Sequence, residues 1–211
     1  MVKLTVYGDP KSTCTLRILI LLEELQLDYK LHHVDLMKNQ NKDPRFLELQ
    51  PFGKIPAVKY GDRVLFESRS ILRYIAKNNN DDIDLLGDIN NDIWLEVESQ
   101  NFSPIISKIV YEKVFKPMQN KETNESIISE ELHKFKPVLS VYNTRLEQHK
   151  FIGGDDFSIA DISHIPYLYY FVNASKTFKN FLKDYPYVYK WYKRLMSRKY
   201  VQRILESDTD I

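Results

Sequence analysis

The spacing of apolar residues changes once along this chain, near residue 78, and that change sets the architecture. Before it, short alternating runs and short helical runs follow one another. Val2, Leu4 and Val6 alternate with Lys3, Thr5 and Tyr7, which predicts a strand over 2–7. Gly8-Asp9-Pro10 ends it, and Ile18, Leu21, Leu22 and Leu25 then recur at helical spacing from Thr13, with Ser12 as N-cap. A second strand is expected over 29–35. Asp43-Pro44 reads as an N-cap with proline in the first turn of a short helix that ends before Pro51. Runs 56–60 and 63–66 flank Gly61-Asp62 as a hairpin. Ser68 then caps a helix that carries Ile71, Leu72 and Ile75. The order β-α-β-α-β-β-α demands one parallel pair with a right-handed crossover, closed by antiparallel strands. The first domain is therefore α/β, over residues 1–78.

Residues 79–87 begin with Asn79-Asn80-Asp81-Asp82 and read as a linker. Beyond it only helical spacing remains, over 89–118 with a kink expected at Pro104, then 124–149, 158–173 and 187–206. Ser158 and Asp161 stand as a capping box. This predicts a second, all-helical domain over 88–211.

Bulk chemistry excludes several function classes. Thirty Lys and Arg against 29 Asp and Glu leave a net charge of +1, so no global field favours nucleic acid or an anionic membrane. The N-terminus enters a strand pattern at once, without the apolar core of a signal peptide, and no apolar run reaches bilayer length. Cys14 is the only cysteine, and no spacing resembles a metal-ligand set. A cytoplasmic, metal-free protein is the expectation.

Three features carry possible chemistry. Ser12 stands where a helix starts, so its hydroxyl either caps the helix or donates to an anion held over it, and one oxygen can do both. In Gln50-Pro51-Phe52-Gly53-Lys54-Ile55-Pro56, the last proline opens a strand; a cis bond there would turn the Ile55 N–H and C=O outward, whereas a trans proline would be ordinary edge chemistry. Glu67-Ser68 places an acid before a helix start, which is either simple capping or a clamp for a free amino-acid end, carboxylate on Ser68 and ammonium on Glu67. Together the three describe a peptide with an amino-acid end, a backbone-paired middle and an anion over the first helix. Lys42 could hold a second carboxylate, and these are the parts of glutathione.

The chain resembles the cytosolic glutathione transferases, and among them the plant phi class. Ser12-Thr13 with Arg17, Val34-Asp-Leu-Met-Lys38, Pro51-Phe-Gly-Lys-Ile-Pro-Ala57, Leu65-Phe-Glu-Ser-Arg69, Phe115, and Phe157-Ser-Ile-Ala-Asp161 followed by His164-Ile-Pro166 carry the likeness over essentially the whole chain. The resemblance implies a thioredoxin-like N-terminal domain, a helical C-terminal domain, and a homodimer. It implies conjugation of the glutathione thiol to hydrophobic electrophiles, with peroxidase side activity, and glutathione as co-substrate without a further cofactor. By matched position Ser12 activates the thiol, and Asn41, Lys42, Lys54, Ile55, Glu67 and Ser68 line the glutathione site. An apolar electrophile pocket between the domains would be walled by Leu36, Tyr111 and Phe115. Two positions depart from the class, which commonly has His where this chain has Asn41 and Gln where it has Lys54. Asn41 lacks charge, and Lys54 cannot accept a hydrogen bond.

Other readings stand beside this one. Tyr7, at the end of the first strand, could activate the thiol as tyrosine does in other classes. Cys14, in the first helical turn, could support thiol-transferase chemistry. The same fold also serves as a non-catalytic module that binds glutathione or hydrophobic ligands, or docks in assemblies.

Overall fold

The computed structural model describes residues 3–78 and 83–206. Val2 of the first strand and residues 79–82 of the expected linker lie outside them. Residues 83–87 form neither helix nor strand.

The predicted order of the first seven elements holds. They are β1 (Leu4–Gly8), α1 (Thr13–Glu24), β2 (Lys30–His33), α2 (Pro44–Leu47), β3 (Ala57–Tyr60), β4 (Arg63–Phe66) and α3 (Ser68–Lys77). β1 runs parallel to β2, with Thr5 opposite Lys30, as a strand–helix–strand crossover requires. β3 lies antiparallel to β1 and turns back into β4 around Gly61, whose φ is +58°. The sheet order is β2-β1-β3-β4.

Strand alternation separates the two faces of this sheet. Leu4 and Val6 of β1 are buried on one side. Tyr7 points to the other side, against a cluster of Val34, Phe46 and Ala57. α1 packs against α3, and Ile18, Leu21, Leu22, Ile71, Leu72 and Ile75 are fully buried. The end of β1 presses on the first turn of α1: a Cβ at Gly8 would fall 2.5 Å from Thr15 Oγ1. A residue without a side chain at position 8 therefore lets the chain turn directly from strand into helix.

The helical unit begins with one long run. α4 (Ile89–Val97), α5 (Ser103–Val110) and α6 (Lys116–Met118) are joined by π-helical turns at Glu98–Phe102 and Tyr111–Phe115. The chain absorbs Pro104 with the wide turn immediately before it, since proline offers no N–H to the preceding turn. α7 (Glu125–Gln148) starts at Asn124, whose side chain accepts from the N–H groups of Ser126 and Ile127. α8 (Ile159–Ala174) carries the predicted capping box: Ser158 Oγ accepts from Ala160 N–H at 3.2 Å, and Asp161 accepts from Ser158 N–H at 3.0 Å.

The periodicity missed one helix and one break. α9 (Lys176–Lys183) occupies a stretch with no predicted element. The single helix expected over 187–206 is instead α10 (Pro186–Met196) and α11 (Lys199–Glu206). α11 packs on α1, so one compact unit comprises the described residues up to Leu86 together with those from Arg198 onward. The other unit is Gly87–Ser197. The sequence predicts a helical domain over 88–211, whereas the described residues from Arg198 onward pack with the first unit. A long-range ion pair anchors this docking: Glu24 of α1 is buried, and Arg198 closes a two-bond fork on it at 2.7 and 2.6 Å.

Asp161 does more than cap. Its carboxylate also accepts from Ile152 N–H at 3.1 Å and Trp191 Nε1–H at 2.8 Å, so one buried group ties the 150s loop, α8 and α10 together. Burial pushes its carboxyl up to about 6, while the donors around it favour the charged form. At neutral pH it is a carboxylate. Asp161→Ala strands three buried donors and is expected to lower unfolding free energy by about 3 kcal/mol in urea titrations. A loss under ~1 kcal/mol would mean these bonds do not organise the unit.

Candidate active site

The start of α1 carries a weakly engaged serine and no neutralising acid. Ser12 has extended backbone, φ −73° and ψ 127°, and its carbonyl begins the helical bonding by accepting from Leu16 N–H at 2.9 Å. Its Oγ accepts from Thr15 N–H at only 3.5 Å, the long limit of a hydrogen bond, so the half-buried hydroxyl is weakly engaged by its own helix. No acidic residue occupies the first turn of α1 to neutralise its positive end. The loop that delivers Ser12 is braced from behind. Ser12 N–H donates to Asp9 O at 2.9 Å, and the Asp9 carboxylate accepts from Lys11 N–H at 2.8 Å.

Cys14 lies in the first turn of α1 and Arg17 one turn further on. Arg17 is 1% exposed, and its Nη1 donates to Cys14 Sγ at 3.4 Å and to Ser68 Oγ at 3.2 Å. One guanidinium thus joins the start of α1 to the start of α3. The sequence reading included Arg17 in the family likeness without a role. A long cation five residues after the Ser12 cap, followed by the apolar run Ile18–Leu22, was the available signal.

At α3 the cap assignment shifts by one residue. Ser68 is the first helical residue, and Glu67 is the N-cap, with no side-chain bond to the helix. Glu67 holds φ +65° and ψ 106°, a conformation that costs a non-glycine residue about 1–3 kcal/mol. Its side chain is exposed while Ser68 is buried. A cap satisfied by Ser68 would have tied up its hydroxyl; the observed geometry leaves both side chains unused by helix capping.

The third group surrounds residues 50–54. Gln50 is buried, and its Oε1 accepts from Lys54 N–H at 3.0 Å. Asn41 Nδ2 donates to Gly53 O at 2.8 Å, and Lys42 Nζ donates to Phe52 O and Gly53 O at 3.2 and 3.4 Å. Asn41 and Lys42 therefore staple the loop that precedes β3, a role absent from the sequence reading because it depends on a partner twelve residues away. Gly53 has φ +61°, and a Cβ there would fall 2.7 Å from Asn41 O. Lys54 is exposed, Ile55 packs on the Val34–Phe46–Ala57 cluster, and the Ile55–Pro56 bond is cis.

The remaining candidates separate. Tyr7 faces the α2 side of the sheet, its ring 5.1 Å from that of His32, and lines a cavity with His32, His33 and Phe46. The ring is partly buried against the Val34–Phe46–Ala57 cluster. Leu36 and Tyr111 are each 41% exposed. Phe115 is half-buried against Tyr170, with ring centroids 5.2 Å apart. Among the described residues, no helix is long and apolar enough to cross a membrane.

Residues 2–77 match the family model of the glutathione S-transferase N-terminal domain, and residues 102–199 that of its C-terminal domain. The chain belongs to the glutathione S-transferase family. It is 38% identical to a probable glutathione S-transferase of Oryza sativa subsp. japonica, over 97% of this chain and 96% of that one. A wheat (Triticum aestivum) glutathione S-transferase is 35% identical over 94% and 92%. Among solved structures, a glutathione transferase of Populus trichocarpa superposes with a TM-score of 0.93 at 32% identity, covering 99% and 100% of the two chains. Glutathione S-transferase I from maize, solved with an atrazine glutathione conjugate, gives 0.88 at 31% identity, covering 99% of each. The relatives are of the plant phi class, in agreement with the motif resemblance.

Gly53→Ala is expected to lower stability by about 1–3 kcal/mol, because it adds a clash and a strained φ together. Thermal unfolding measures it, and an unchanged midpoint would show that the loop moves freely around position 53.

Proposed function

We propose that this chain conjugates reduced glutathione to apolar electrophiles, with Ser12 as the residue that activates the thiol. The observation that carries the reading is the weakly engaged Ser12 hydroxyl at a helix start without acidic residues. A free thiol with a pKa of about 8.5 is only a few per cent thiolate at pH 7. Lowering it by about two units takes roughly 2.7 kcal/mol, the scale of one charge-assisted hydrogen bond together with a helix N-terminus. The thiolate sulfur then attacks the electrophilic carbon; with a chloronitroarene, chloride leaves with the bonding pair.

The rest of the ligand follows from its chemistry. The exposed Glu67 carboxylate suits the ammonium of the γ-glutamyl end, and Ser68 its carboxylate. The Ile55 backbone pairs with the cysteinyl portion as an added strand would. Lys42 and Lys54 offer positive charge to the glycyl carboxylate, with Asn41 holding the loop beneath them. Leu36 and Tyr111 leave apolar surface in solvent and Phe115 part of its ring, the chemistry an electrophile requires. Glutathione is co-substrate, and the reaction needs no further cofactor or metal. A cytoplasmic location suits an enzyme that consumes reduced glutathione.

Retention on immobilised glutathione and turnover of a chloronitroarene test the reading. Ser12→Ala is expected to cut kcat/KM by about 10- to 100-fold and to move the thiol ionisation in the pH–rate profile upward. Full activity in Ser12→Ala, with loss in Cys14→Ser, would transfer the chemistry to the cysteine. Retention without turnover would leave a binding module.

A homodimer belongs to the same proposal. Phe52 is 66% exposed on the loop stapled by Asn41 and Lys42, and offers a large apolar contact to a second copy. Phe52→Glu is expected to shift the sedimenting species from dimer to monomer. A monomeric parent protein would sink this part of the reading.

A further inference from the structure

We infer that Arg17 is the positioning residue that aims the Ser68 hydroxyl at the ligand's α-carboxylate, an assignment that rests on the glutathione reading above. The argument begins with donors. A guanidinium has only N–H groups to offer, so at 3.2 Å Ser68 Oγ must accept from it. That bond occupies a lone pair of the hydroxyl oxygen and directs the Ser68 proton to a different acceptor. Ser68 opens α3, where backbone N–H groups lack helical partners, and α3 has no acidic residue in its first turn. The first turn of α1 has none either.

Two positive helix starts, neither with an acidic residue in its first turn, thus meet at the Arg17 guanidinium, a corner that favours an anion. An acceptor-rich anion is the chemistry that fits there, and a free amino acid's carboxylate supplies it. Arg17 need not touch that carboxylate. Its Nη1 donates to Ser68 and Cys14 at once from a rigid, planar guanidinium, fixing a direction that a lysine ammonium, a mobile point charge, does not.

The test is a double-mutant cycle on the full chain, with steady-state KM for glutathione at fixed chloronitroarene. Arg17→Gln and Arg17→Lys are each expected to raise KM for glutathione about 10-fold, the value of one hydrogen bond of this kind, with kcat at saturating glutathione changed less than about 3-fold. In a Ser68→Ala background the same substitutions are expected to add less than about 2-fold, because the bond through which Arg17 acts is already gone. Equal penalties in both backgrounds, or an unchanged KM in the parent background, overturn the assignment. So does failure of both variants to fold, which would make Arg17 purely structural. If the parent protein neither binds glutathione nor turns over substrate, the functional reading falls first; parent activity with additive penalties removes only the role of Arg17.

Discussion

Placing the Arg17 guanidinium in the interior removes its hydration, a cost of several kcal/mol that only well-directed acceptors offset. The first unit is arranged around that requirement. α1 must pass close enough to α3 for Nη1 to reach Ser68, and the turn from β1 must be tight enough to start α1 at Ser12. Gly8 allows that turn by letting the strand end lie against Thr15. The consequence is that two helix starts share one buried charge, and the hydroxyls of Ser12 and Ser68 sit beside exposed helix-end dipoles. An anionic ligand is a natural complement to such a corner.

The loop before β3 solves a different problem. An extended ligand needs backbone groups held in place, yet loops are mobile unless their carbonyls are engaged. Here Asn41 and Lys42 engage the carbonyls of Phe52 and Gly53, while Gln50 holds the Lys54 amide. The same loop presents Phe52 to solvent, so its rigidity bears on the proposed assembly as well as on binding. Asn in place of histidine at position 41 keeps a donor for this staple without a titrating charge.

The helical unit relies on buried polar groups that are bonded to one another. His164 Nδ1 donates to Ala160 O at 2.6 Å, which leaves Nε2 to accept from Tyr142 O–H at 2.9 Å. Burial raises the Tyr142 phenol well above its ordinary value, so it remains a donor. With Asp161 on Trp191, these bonds give an apolar core a fixed register. Glu112, buried within the second π-helical turn, accepts from Lys116 Nζ and Asn124 N–H, both at 2.8 Å, and secures the turn that carries Tyr111 and Phe115.

Local chemistry was enough for much of this. Alternation in β1, the caps at Ser12, Asp43 and Ser158, and the Gly61 hairpin depend on neighbours within a few residues, so the amino-acid order alone determined the first seven elements, the mixed sheet and the family. It also nominated Ser12, Glu67 and Ser68. What it left open were the features set by distant partners. The break between α10 and α11, and the docking of α11 on α1, follow from Glu24 needing Arg198, 174 residues away. That Ser68 is helical while Glu67 takes the strained cap conformation is a backbone outcome with no local spacing signal. The stapling of Gly53 by Asn41, the packing of Tyr7 beside His32 on the α2 side of the sheet, and the link from Arg17 to Ser68 were decided by tertiary structure. Each depends on which side chains face one another after packing, and sequence periodicity carries no information about that pairing.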